Sequence, residues 1–255
     1  MPYSLLTVGP LAAALAAGMY FAPHKLRLMQ QRALARFCKR TRSLVLSYDD
    51  GPSAVLTPRL LDLLRDSNIK ATFFLLGRNV AGHESIVDRA QHEGHGIECH
   101  GHDHTDAWKT APWRPLRDIR KGYAALEKWV PPHGLFRPPR GKLTLCTWLA
   151  LRSRRARIGW WTIDSGDTHA TLPTPESVVA RVLESGGGVV LLHDHHRTEP
   201  RMRFVLETTR LLVELAQRNG LATRRLGDVL DELGADHASA VLQRSACISV
   251  NERRR

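Results

Sequence analysis

Beyond Thr41 the chain alternates between seven short apolar or β-rich runs and longer stretches of helical period, and this alternation narrows the possible folds more than any other feature. The runs are 44–48, 71–76, 96–100, 135–138, 158–163, 189–193 and 222–226. Strands buried on both faces read as near-continuous apolar runs, and parallel neighbours need a helix-length crossover between them. Stretches near 55–66, 80–93, 113–129, 143–152, 175–184 and 201–218 supply those crossovers. Several open on Pro or Thr and close on Gly or Asn, as helix ends prefer. The pattern predicts an α/β fold, a parallel sheet of about seven strands closed or nearly closed as a barrel and preceded by an N-terminal hydrophobic helix.

At 255 residues such a barrel fits as one domain, and 43% hydrophobic with 24% charged residues is ordinary globular composition. Nineteen Gly and 14 Pro, scattered, exclude fibrous and wholly disordered chains. Cys38, Cys99, Cys146 and Cys247 include no C-x-x-C pair, so neither a disulfide framework nor a zinc finger is expected, and a reducing compartment fits.

The formal net charge of +12 is concentrated at the ends of the chain. Lys25, Arg27, Arg32, Arg36, Lys39, Arg40 and Arg42 lie in a stretch without an acid, and four arginines against Glu252 end the chain. A nearly neutral body without a basic, aromatic-laced face argues against nucleic acid, and an anionic membrane surface is the better partner. From Pro2 to Pro23 no side chain is charged, about the ~20 residues a spanning helix needs. Residues 1–24 therefore read as a membrane anchor, with a cleaved signal peptide ending near Ala14-Leu15-Ala16, or a buried helix, as alternatives. The basic residues that follow would keep the body on the cytoplasmic side, an exported form being the alternative. Residues 25–42 form a basic linker. It reads either as an interfacial helix, with Leu26, Met29, Ala33, Leu34 and Phe37 on one face, or as a solvated segment. Residues 43–235 form the catalytic domain, and 236–255 a basic tail.

Polar clusters sit at the expected strand ends, where a barrel places its chemistry. Ser47-Tyr48-Asp49-Asp50-Gly51-Pro52 ends the first run. Adjacent strand side chains point opposite ways, so both carboxylates face one site only if the backbone bends; otherwise this is a surface turn. Glu98-Cys99-His100-Gly101-His102-Asp103-His104 ends the third. Neutral imidazoles beside a carboxylate are a divalent-cation ligand set, and His100 and His104 share a face on a helical turn that His102 does not. One of Asp49 and Asp50 would complete the ligands and the other remain as a base.

Phe136-Arg137-Pro138-Pro139-Arg140-Gly141, Asp164-Ser165-Gly166-Asp167 and Leu191-Leu192-His193-Asp194 complete an ordered set of five motifs. In these the chain resembles the NodB-type polysaccharide deacetylases, carbohydrate esterase family 4, over about residues 41–230. The resemblance implies a distorted (β/α) barrel and metal-dependent removal of an acyl, usually acetyl, group from an amino sugar. It makes Asp50, His100 and His104 the ligands of one divalent ion, Zn2+ first, with Co2+, Ni2+ or Mn2+ as alternatives. Asp49 becomes the general base toward water activated by that ion, and Arg137 the residue that holds it. His193 becomes the general acid oriented by Asp167. Arg140, whose N–H matches the oxyanion donor, Gly141 and Leu191 would contact substrate, Leu191 walling the acyl methyl.

The chain also departs from the family pattern. Gly101 stands where Ser or Thr is usual, Cys99 where Asn or Ser is commoner, Arg140 in place of Tyr, and Thr168 in place of Trp. Cys99 reads as a small core residue, and His102, His195 and His196 carry no ligand role. With one aromatic wall gone and an arginine added, a lipid-linked or phosphorylated glycan is expected over a long polymer. A small-molecule amidohydrolase and a catalytically silent glycan-binding module are the competing functions.

Overall fold

A computed structural model describes residues 8–195 and 197–236, with side chains from residue 17 onward. Most of the expected tail, and His196, lie outside the described residues.

The chain opens on one 34-residue helix, α1 (Val8–Thr41), which runs without a break across the expected boundary at residue 24. Among the described residues no helix is long and apolar enough to cross a membrane; Gly9, Pro10, Gly18, Tyr20 and Pro23 interrupt the apolar residues of α1, and His24, Lys25 and Arg27 follow too soon. Its stripe at spacings of three and four faces the protein instead. Leu34 and Phe37 are buried in the core with Cys38, whereas Met29 is 66% exposed. The apolar surface that the stripe meets belongs to β1, β5 and α6.

Strand β1 (Ser43–Asp49) is buried along its whole length. After it come α2 (Leu56–Asp66), β2 (Thr72–Leu75), the single turn α3 (Gly77–Val80), α4 (Glu84–His92), β3 (Gly96–Cys99), α5 (Trp113–Ala125), α6 (Leu145–Ser153), β4 (Ile163–Asp164), α7 (Pro175–Ser185), β5 (Gly188–His193), α8 (Glu199–Asn219), β6 (Ala222–Thr223) and a helix α9 over 226–236. The sheet order is β3-β2-β1-β5-β4, with β6 paired to the start of β1, and every pairing is parallel.

Among the described residues six strands are seen where about seven were expected. The run 135–138 makes only isolated bridges, Phe136 to Cys99 and Phe136 to Ile158. Pro138 and Pro139 carry no N–H, so the ladder cannot continue. The run 158–163 touches Phe136 at Ile158 and pairs with β5 only from Ile163. Strands β1, β3 and β5 end on Asp49, Cys99 and His193, so the clusters after them open on one edge of the sheet.

Candidate active site

The bend required to aim both carboxylates inward falls at Asp50, whose φ is +71°. Its cause lies across the sheet. The Asp194 amide donates to Asp49 O at 2.7 Å, and the Asp194 carboxylate lies so close under the turn that a Cβ on Gly51 would come within 2.6 Å of it. Thr57 Oγ1 donates to that carboxylate at 2.8 Å.

Asp49 is buried and receives Arg137 Nη1 at 2.7 Å. Arg137 is fully buried, donates also to Ser47 Oγ and Gly159 O, and lies over the Phe74 ring. Burial lowers the arginine's pKa, and the Asp49 charge opposes that.

His100 Nδ1–H donates to Arg137 O at 2.7 Å, which leaves Nε2 as the lone-pair nitrogen. That atom is 3.6 Å from Asp49 Oδ2 and 3.5 Å from Asp50 Oδ1, and His104 Nε2 is 3.4 Å from the same Asp50 oxygen. The ligand atoms of Asp50, His100 and His104 all lie within 4.8 Å of one another. Asp50 Oδ1 is buried without a hydrogen-bond partner. His104 is pushed down to about 4, by burial first and by His100 next, so it stands neutral. An orphaned carboxylate oxygen between two imidazole nitrogens fits a divalent cation.

His193 Nδ1–H donates to Asp167 Oδ1 at 2.8 Å, and Asp167 Oδ2 accepts the His193 amide at 2.7 Å. Burial opposes a charged ring, yet the charge and hydrogen bond of Asp167, with Asp49 and Asp50 beyond, raise His193 to about 9. Arg201 donates to the Asp167 carbonyl and fixes that turn.

Arg140 and Gly141 follow Arg137 in a turn with φ of +56° and +63°. The Arg140 side chain is 61% exposed and 3.8 Å from Asp106, which Lys142 also meets at 2.9 Å. Leu191 is buried on β5, on the strand face it shares with His193. Thr168 is exposed beside Asp167. Cys99 is fully buried and burial pushes its thiol up to about 12, as a small core residue requires.

Two further neighbours of the candidate site had no part assigned to them by the sequence: His195, expected only to sit outside the ligand set, and Asp118. His195 Nε2 accepts a hydrogen bond from Arg197, so Nδ1 carries the proton, and it lies 3.5 Å from Asp50 Oδ2. Asp118, on α5, accepts from the Asp103 amide at 2.6 Å and fills the space a side chain at residue 101 would take, which is why glycine stands there with φ +87°. The i, i+2 spacing of His193 and His195 was the available signal for the first. Nothing local marks the second. His102 donates to Asp103 and turns away from the ligand group.

Strand-end chemistry of this kind defines the class: a hydrolase on a parallel α/β scaffold. A family model described as polysaccharide deacetylase matches residues 37–157. A Bacillus cereus protein named peptidoglycan-N-acetylglucosamine deacetylase is 31% identical over 177 residues, 69% of this chain and 82% of that relative. A Rhizobium leguminosarum chitooligosaccharide deacetylase is 32% identical, with coverage of 60% of this chain and 68% of the relative. Among solved structures, the Bc1960 peptidoglycan N-acetylglucosamine deacetylase in complex with 4-naphthalen-1-yl-N-oxidanyl-benzamide superposes with a TM-score of 0.66 at 26% identity, covering 74% of this chain and 88% of that one. The chain belongs to the polysaccharide deacetylase family, hydrolases that act on amide bonds.

Proposed function

We propose that this protein removes the acetyl group from N-acetylglucosamine units of a glycan, with a divalent cation held by Asp50, His100 and His104. The observation that carries the proposal is the convergence of Asp49 and Asp50 on His100 Nε2, at 3.6 and 3.5 Å, with one carboxylate taken by Arg137 and the other left with an orphaned oxygen. The difference in partners separates their work. Asp50 is free to hold a cation, and Asp49, held in place by Arg137, is left to accept a proton from water.

The cation supplies Lewis acidity toward the amide carbonyl and toward water. His193, held protonated by Asp167, faces the departing nitrogen and gives it the proton that an amine needs to leave. Leu191 offers the acetyl methyl an apolar wall, and the backbone N–H of Arg140 offers a donor to developing oxyanion charge. The names of the Bacillus and Rhizobium relatives support an N-acetylglucosamine glycan as substrate.

Acetate release from chitooligosaccharides and from peptidoglycan strands, with and without chelator, tests this. Release that stops with chelator and returns with Zn2+ is expected. No release from either glycan, or release indifferent to chelator, overturns it.

The exposed Arg140 beside Lys142, with Thr168 in place of an aromatic wall, favours a phosphate-bearing glycan such as a lipid-linked one. Arg140→Ala should then weaken a phosphorylated substrate far more than a plain chitooligosaccharide, and equal losses on both remove the phosphate. Exposed Phe21 and Met29 beside Lys25 support a surface association of α1 with anionic membrane on the cytoplasmic side. Vesicle flotation with and without anionic lipid checks it, and equal recovery from both overturns it.

A further inference from the structure

Arg27 lies outside the stretch matched by the family model, yet it reaches the candidate site. It is partly buried, and it has no acidic partner within ion-pair distance among the described residues. A partly buried guanidinium without a carboxylate is unfavourable unless its donors are used otherwise. Here Nη1 donates to Gly141 O at 2.6 Å, and Nε to Gln31 Oε1 at 3.2 Å. The guanidinium is 5.2 Å from the Trp160 ring centroid and 4.8 Å from that of Trp161. The cation is thus held by a backbone carbonyl and two indoles.

The gripped carbonyl belongs to the turn with two consecutive left-handed residues, Arg140 and Gly141. A non-glycine residue in that region persists only where its surroundings hold it. The turn closes on itself through Gly141 N to Pro138 O and Lys142 N to Pro139 O, and Arg27 adds a grip from outside. The fit is close: a Cβ on Gly141 would come within 2.5 Å of Arg27 Nη1 and 2.6 Å of Trp161. The same short segment carries Arg137, whose carbonyl orients His100 and whose side chain holds Asp49. Trp161 supplies a second route, lying 5.7 Å from the Arg137 guanidinium as well as against Arg27.

We infer that Arg27 is a positioning residue for the reaction: the N-terminal helix fixes the 137–141 segment through it, and with that segment the base, one imidazole and the Arg140 amide. The kinetic part of the test rests on the proposed deacetylase activity, and the exchange part does not.

The test compares full-length wild type with Arg27→Ala, Arg27→Lys and Gln30→Ala. Gln30 docks the same helix by accepting from Trp160 Nε1 at 2.7 Å and makes no hydrogen bond to the turn, so it reports docking alone. Arg27→Ala is expected to lower kcat by roughly ten- to a hundredfold with KM within about twofold of wild type. Amide exchange at Arg140, Gly141 and Lys142 should rise, and Arg27→Lys should recover part of both. Gln30→Ala should lower Tm while keeping kcat and protection of that segment. Wild-type kcat and protection in Arg27→Ala overturns the inference, as does a Gln30→Ala variant that loses as much kcat. Should Arg27→Ala not fold, Arg27→Lys decides, and wild-type kcat in it is equally fatal. If wild type releases no acetate at all, the deacetylase proposal fails, and the exchange comparison still settles Arg27.

Discussion

Asp49 and Asp50 are neighbours in the chain and have different partners in space, and partners decide what a carboxylate does. Asp49→Asn keeps its shape and loses proton affinity. It should retain bound metal and lose about a hundredfold or more in acetate release, while a fully active variant ends the assignment of Asp49 as base. His193 makes a pH prediction with a definite sign. Its pKa is raised to about 9 from an ordinary 6.5, so the protonated acid is present at neutral pH and activity should fall as pH rises through about 9. The associated stability is complete below 6.5 and is lost over the same rise to about 9. Asp167→Asn removes the main raising charge, so the upper edge of the pH–rate profile should move down toward 6.5; an unmoved edge would mean that another group sets it. At this scale His100 and His104 were legible because they stand four apart after one strand, and the Asp49-Asp50 pair because its members are adjacent, whereas Asp50 was singled out from that pair only through the family resemblance. His195 and Asp118 were not, because they act on Asp50 and on the 101–105 loop from other elements.

Helix α1 shows what periodicity can and cannot tell. Leu34 and Phe37 announce an apolar face by spacing alone, but an apolar face is the same whether it meets lipid or protein. Charge between the faces favoured lipid, and the body's own surface won. Leu34, 2% exposed, should therefore destabilise the whole protein when cut to alanine, by about 2–5 kcal/mol in denaturant unfolding; a loss near zero would mean that the helix is merely laid against the body. The run 135–138 was over-read for the opposite reason. Its apolar character was right, and Pro138 and Pro139 set its limit by removing the donors a strand needs. Those prolines are also what turns the chain back over the site after Arg137.

Taken whole, the molecule was read correctly as parallel α/β because seven runs and their crossovers are a global pattern that no single boundary error disturbs. What the pattern could not give was closure, which depends on one bridge at Ile158 and a two-residue strand. A cation bound only by the folded chain must stabilise it. At a hundredfold excess over Kd the linkage amounts to about 2.7 kcal/mol. Added Zn2+ should raise the Tm of the wild type and leave His100→Ala and His104→Ala unmoved, so an equal rise in all three would place binding elsewhere.

The pairing of β1 with β5 links positions far apart in synthesis: Ser47 Oγ donates to Val190 O across 143 residues. A ribosome therefore makes α1 and β1 long before either has a floor to rest on. Through most of translation Leu34, Phe37 and one whole edge of β1 must wait unsatisfied, open to chaperones and to the same segments of neighbouring nascent chains. The strand that ends in Asp49 is among the first made, and the one that ends in His193 is among the last. A nascent chain that has not yet reached His193 therefore lacks one of the groups that the proposed reaction needs.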